Sequence, residues 1–190
     1  MEATLKDCLN RHGSDKATRH HYHLVYEPIL APLRFEEVTL LEVGVDKGAS
    51  LRAWREWFPN ALITGIDIYK RAPLRDIPGV AQIKANSTNP PDLGRFDIII
   101  DDGCHFLRTQ AATLKALWPM LNPGGTYFIE DVSKPDRNHE WTPPHNPGYH
   151  PRNYRHLERE IEMTGADMEV YDQRGLSGKS DSCIYVLRKP

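Results

Sequence analysis

Cysteine is scarce in this chain of 190 residues: Cys8, Cys104 and Cys183 are odd in number and far apart, with no Cys-x-x-Cys pair. That argues against zinc or redox work, and reduced thiols in the cytoplasm are the simplest reading. No apolar run approaches the length of a membrane span, and nothing near Met1 resembles a basic region followed by an apolar signal core, so no membrane partner is expected. An excess of one charge is missing too. The formal charge of -2 rests on nearly balanced acids and bases, which disfavours nucleic acid as a partner. Internal repeats and low-complexity tracts are absent. What remains, 39% apolar and 26% charged residues, fits one folded domain over 1–190.

Within that domain, short apolar runs alternate with helical spacings. VTLLEV at 38–43 reads as a buried strand broken by Gly44. Leu51, Trp54, Trp57 and Phe58 then fall on one helix face, which Pro59 and Asn60 end. Further strands are expected at 62–68, 80–84, 96–100 and 126–129, with a helix at 108–117. Strands separated by helices imply right-handed crossovers and a mostly parallel sheet covered on both faces. A helix at 154–163 precedes strands at 168–171 and 183–187, which read as a closing antiparallel hairpin. The expected fold is α/β: a Rossmann-like, doubly wound, mostly parallel sheet of seven strands with a C-terminal antiparallel hairpin. Residues 1–34 form an N-terminal helical segment, on which His21 and His23 are expected to face solvent. The stretch 133–152, crowded with Pro, His, Asn and Gly, is a candidate lid loop.

Ligands of open α/β sheets bind beyond the carboxyl ends of the strands. After the first strand comes Glu42-Val43-Gly44-Val45-Asp46-Lys47-Gly48-Ala49-Ser50, where Gly44 and Gly48 let the backbone approach a ligand and the next helix points its N-terminus at it. The Gly-x-x-x-Gly spacing lacks the Gly-x-Gly-x-x-Gly fingerprint of a dinucleotide site, so a nicotinamide-dependent oxidoreductase fits poorly. Asp67 ends the second strand, where an acid can accept hydrogen bonds from ribose hydroxyls. Two later strands end in Asp101-Asp102 and Glu130-Asp131. Carboxylates crowded at one sheet edge are most simply explained by a hard cation, Mg²⁺ (or Mn²⁺), with Asp102, Glu130 and Asp131 as ligands. His105, three residues past Asp102, is a candidate general base.

The segments LLEVGVDKGASL, ITGIDI, FDIIIDDGCH and GGTYFIED resemble the metal-dependent sugar O-methyltransferases of antibiotic biosynthesis, in particular the macrolide type. So does Gly13-Ser14-Asp15-Lys16, followed by His20, Tyr22, Tyr26 and Glu27. The resemblance runs from Gly13 to Asp131. It implies S-adenosylmethionine held by the glycine loop and Asp67, Mg²⁺ at Asp102, Glu130 and Asp131, and His105 as base. On the same footing Asp15, Lys16, Tyr22, Glu42, Ser50, Ile68, Ser87 and Asp101 join the cofactor-binding set. Asn86-Ser87 departs from the family, which tends to carry an acid followed by Gln beside the adenine. The expected reaction is methyl transfer from S-adenosylmethionine to a hydroxyl of a small acceptor, a sugar bearing a vicinal diol. A catechol-type enzyme acting on aromatic diols, or a non-catalytic S-adenosylmethionine-binding module, are the alternatives. A homo-oligomer formed through the N-terminal helix is conceivable on the same resemblance.

Overall fold

The computed structural model describes residues 2–69, 73–74, 77–133 and 151–190, with side chains from 155 onward in the last stretch. Seven strands form one sheet: β1 (Thr39–Val43), β2 (Leu62–Asp67), β3 (Val80–Lys84), β4 (Phe96–Asp101), β5 (Leu121–Ile129), β6 (Asp167–Asp172) and β7 (Cys183–Arg188). Their spatial order is β3-β2-β1-β4-β5-β7-β6. β1 to β5 pair in parallel, and β7 runs antiparallel to both β5 and β6. The doubly wound sheet with its closing hairpin is therefore present as expected. The chain order reverses between β1 and β4, which is where an open α/β sheet leaves a crevice for a ligand.

Alternation along the strands sends side chains to both faces, and both are covered. On one face Leu40, Ile63, Ile98, Ile100 and Phe128 meet Leu51, Trp54 and Trp57 of α4 (Ala49–Trp57). Leu5 and Leu9 of α1 (Leu5–Arg11), together with Val25, Tyr26 and Leu30 of α3 (His23–Leu30), join the same cluster. On the other face Leu41, Val43, Ile66, Ile99, Tyr127 and Ile129 meet α5 (Leu107–Leu117) and Leu157 and Ile161 of α6 (Pro151–Thr164). A polar surface helix could not supply these apolar stripes; the core residues of α4 recur at the three- and four-residue spacing of one helix face.

The N-terminal segment is the part that carries unexpected detail. Between α1 and α3 lies a single turn of helix, α2 (Asp15–Thr18), capped by Ser14, whose Oγ accepts from the Lys16 amide. His20 to Tyr22 precede α3, and His21 takes a left-handed backbone (φ 58). His23 is buried, against the expectation of a solvated face. The reason is that His23 stands three and seven residues before the buried Tyr26 and Leu30, and so shares their inward face of α3. Burial also lowers the His23 pKa, which favours the neutral ring. The candidate lid falls mainly outside the described residues; its last two residues open α6. No helix among the described residues is long and apolar enough to cross a membrane.

Candidate functional site

At the crevice the first observation is how closely the two loops pass. Gly44 follows β1 with φ +87, and a Cβ placed on it would lie 2.0 Å from the Asp102 carbonyl oxygen, so no other residue fits without moving the loop after β4. Gly48 has φ +75 and caps α4 in the left-handed region. The two glycines thus serve the loop differently: Gly44 by close approach and Gly48 by its backbone angle. The Asp67 carboxylate braces the same loop, with Oδ2 accepting from the amides of Val45 (2.9 Å) and Asp46 (3.1 Å), and Oδ1 from that of Tyr69 (2.8 Å).

Two cavities adjoin at Gly44, Asp67 and Gly103. One, of about 510 Å³, is lined by Asp15, Lys16, Ser50, Asp102, His105, Glu130 and Asp131 among others. The second, of about 400 Å³, is lined by Ile66, Ile68, Tyr69, Asn86, Ser87 and Cys104 among others, and is the more apolar of the two by its residues. Ser87 shares a hydrogen bond with Thr113 (2.9 Å). Of the expected site residues, Asp15, Lys16, Gly44, Ser50, Asp67, Ile68, Ser87, Asp102, His105, Glu130 and Asp131 line one cavity or the other. Gly48, Glu42, Asp101 and Tyr22 line neither. Their side chains act behind the wall, or, for Gly48, through the backbone.

Behind that wall the acids divide into two groups. Lys16, only 2% exposed, carries its ammonium to Asp102, to Glu130 Oε2 (2.8 Å) and to Glu42 Oε1 (3.4 Å). The far oxygens of two of these acids are taken by hydroxyls: Ser50 Oγ donates to Glu42 Oε2 (2.8 Å), and the Tyr26 hydroxyl donates to Glu130 Oε1. Gln110 Nε2 donates to the Glu130 carbonyl (2.8 Å). Burial works against the charged ammonium, but Asp102, Glu130 and Glu42 outweigh it and hold Lys16 protonated far beyond the ordinary lysine range. One base cannot satisfy three acids. Burial pushes Glu42 up to about 7, Lys16 pulling against it, and burial with the neighbouring Asp102 also drives Glu130 upward.

Asp131 belongs to the second group. Its backbone is left-handed (φ 53), a conformation that costs a non-glycine residue roughly 1–3 kcal/mol and persists only where its surroundings enforce it. Tyr22 does so from both ends: its hydroxyl donates to Asp131 Oδ1 (2.6 Å) and accepts from the Asp131 amide (3.2 Å). His20 stacks on Tyr22 with ring centroids 5.2 Å apart and places Nδ1 within 3.3 Å of Asp131 Oδ1 and 2.9 Å of Ser182 Oγ. His105 Nδ1 lies 3.2 Å from Asp131 Oδ2, and the ring is 47% exposed. Asp102, His105 and Asp131 each offer one ligand atom within 4.8 Å of the others. Asp101, by contrast, turns under the sheet edge, where its Oδ1 accepts from the Gly103 amide (3.3 Å) and its Oδ2 is buried without a partner. Burial pushes its pKa up to about 7, the Gly103 amide opposing.

A divalent cation fits this donor set. The carboxylates of Asp102 and Asp131 bring oxygens within 4.8 Å of each other, and a surplus of buried carboxylates resists ionisation beside them, which added positive charge would relieve. Ser182 and Gln110 are contributors that sequence reasoning missed. For Gln110 a signal existed, a polar residue on the inward face of α5; Ser182 carried none.

No family model matches the chain. Among curated proteins it is 38% identical over 136 residues to the 8-demethyl-8-alpha-L-rhamnosyl tetracenomycin-C 2'-O-methyltransferase of Streptomyces olivaceus, covering 64% of this chain and 36% of that one. It is 33% identical over 140 residues to the L-olivosyl-oleandolide 3-O-methyltransferase of Streptomyces antibioticus, covering 64% and 35%. Over 121 residues it is 32% identical to the mycinamicin VI 2''-O-methyltransferase of Micromonospora griseorubida, covering 56% and 30%. The sequence is similar to sugar O-methyltransferases. The match spans about a third of the length of these relatives. Among solved structures, the MycE methyltransferase of the mycinamycin pathway, in complex with Mg, SAH and mycinamycin VI, superposes with a TM-score of 0.75 at 22% identity, covering 99% of this chain and 55% of that one. DesVI of Streptomyces venezuelae superposes with a TM-score of 0.64 at 14% identity over the whole of both chains. The fold is that of the class I methyltransferases.

Proposed function

We propose that the chain transfers a methyl group from S-adenosylmethionine to a hydroxyl of a sugar carried by a small natural product. The observation that carries this reading is the junction at Gly44 and Gly103. There the smaller cavity, assigned to the nucleoside, adjoins the one lined by Asp102, His105 and Asp131. Similarity to enzymes named for methylating rhamnosyl and olivosyl groups supports a sugar as acceptor.

S-adenosylmethionine supplies, when bound, a methyl group on a sulfonium, so the protein's tasks are alignment and removal of one proton. A divalent cation, Mg²⁺ or Mn²⁺, supplies positive charge that makes a hydroxyl more acidic. Asp102 and Asp131 are the groups that would hold it, with Glu130 adjacent behind them. His105 is the base. Its Nδ1 lies beside Asp131, which leaves Nε2 to take the proton of the acceptor hydroxyl as the oxygen forms its bond to the methyl carbon and the carbon–sulfur bond breaks, its electron pair leaving with the sulfur of a neutral thioether. Asp67 and the backbone of the Gly44 loop orient the cofactor's ribose, and Ile68 and Ser87 flank its base. An acceptor with two neighbouring hydroxyls suits a cation with more than one open position, so vicinal diols are the preferred class.

The test is methyl transfer from labelled S-adenosylmethionine to a panel of rhamnosides, singly deoxygenated rhamnosides and catechols, with Mg²⁺ and with chelator. The expected result is label on rhamnosides with the diol intact, lost in chelator. Label on catechols alone would replace the sugar reading by the aromatic one.

A further inference from the structure

Lys16 lines the larger cavity, and the proposed transfer gives it no role. Lys16 reaches the site from α2, and its ammonium is the only lysine nitrogen among the described residues within ion-pair distance of Asp102, Glu130 or Glu42. The arrangement is built rather than incidental. Glu42 has one oxygen on Ser50 and the other toward Lys16; Glu130 has one on Tyr26 and the other on Lys16. A hydroxyl on one oxygen of each acid thus orients the other oxygen toward the ammonium. Asp102 is the member shared by the two groups. Through Oδ2 it touches Lys16, and one of its carboxylate oxygens lies within 4.8 Å of the ligand atoms of His105 and Asp131. Asp131 is held apart, gripped by Tyr22 and His20.

An ammonium and a divalent cation compete for the same carboxylate oxygens, because each lowers the energy of crowded negative charge and each repels the other at short range. We propose that Lys16 is an internal competitor of the divalent cation. It holds Asp102 and Glu130 in place while the metal is absent, yields them when the metal binds, and so weakens metal affinity while keeping the metal-free site assembled. This inference rests on the metal reading of the site given above. Replacing the ammonium by an apolar chain of similar length leaves three acids, Glu42, Asp102 and Glu130, without their internal base. The metal-free protein then loses stability and the incoming cation gains an uncontested ligand set.

The experiment is calorimetric titration of Mg²⁺ into the chelator-treated full chain, together with melting of the metal-free and metal-saturated protein. Lys16→Met is expected to bind Mg²⁺ about tenfold or more tightly than wild type, to melt lower without metal, and to recover more on saturation. Where Lys16→Met does not fold without metal, the pair Lys16→Met with Glu42→Gln removes one acid along with the base. It is expected to bind Mg²⁺ about tenfold more tightly than Glu42→Gln alone. Equal or weaker binding in either comparison overturns the proposal, since Lys16 would then support the cation or ignore it. A wild-type chain that binds no Mg²⁺ or Mn²⁺ defeats the metal reading itself, and that arm alone distinguishes the two failures.

Discussion

His105 and Asp101 lie four residues apart and illustrate how differently two titratable groups of one loop behave. His105 is half exposed with one ring nitrogen on Asp131, the arrangement of a base that is oriented but reachable. Replacing it with Ala is expected to leave S-adenosylmethionine affinity intact and lower turnover by about 10² to 10⁴. Single-turnover rates with saturating cofactor measure this, and an unchanged rate removes His105 as the base. Asp101 is sealed in, with a pKa raised from the ordinary 3.8 to about 7. Between those values the folded chain keeps a proton that the unfolded chain has released. Stability therefore falls as pH rises from about 4 to about 7, with the loss complete above. Asp101→Asn removes that contribution, up to about 4 kcal/mol across the window, so its stability should change less with pH than wild type's. Glu42 acts with the same sign and keeps part of the slope. Denaturant unfolding in chelator across this range checks it; parallel curves for the two proteins would contradict it.

At the scale of elements, the strand ends and their loops place everything the site needs. Gly44 joins the loop after β1 to the loop after β4 by contact of backbones, so Gly44→Ala should push the Asp102 carbonyl away and impair cofactor and metal binding together. A titration that finds only one of the two affected would show that the loops move independently. These elements were legible in the sequence because buried strands such as FDIII and the Leu51-Trp54-Trp57 stripe announce themselves by local pattern. The N-terminal segment was not legible in the same way. Lys16 meets Asp102 and Glu130 across 86 and 114 residues of chain, and Tyr22 meets Asp131 across 109. Local periodicity carries no trace of such pairs. The resemblance placed Lys16 and Tyr22 near the cofactor, whereas their side chains hold acids: Lys16 from the wall of the cavity and Tyr22 from behind it. His23, expected to face solvent, instead shares the inward face of Tyr26 and Leu30 on α3.

At the scale of the whole molecule, two helical layers and the sheet between them are a general-purpose scaffold, and function lies in what the strand ends present. Here the N-terminal helices add a third contribution, because they close one side of the larger cavity with Gly13 to Lys16 and insert into it the single buried lysine among the described residues. In the proposed function one crevice at the chain reversal holds a nucleoside cofactor and a divalent cation side by side. The measurement that tests it most directly is calorimetric titration of S-adenosylmethionine and of Mg²⁺ into chelator-stripped protein, singly and together, with Asp102→Ala alongside. Wild type is expected to bind both, and Asp102→Ala to keep the cofactor while losing the metal. A wild-type chain that binds no S-adenosylmethionine, or an Asp102→Ala chain that binds Mg²⁺ as wild type does, would contradict it.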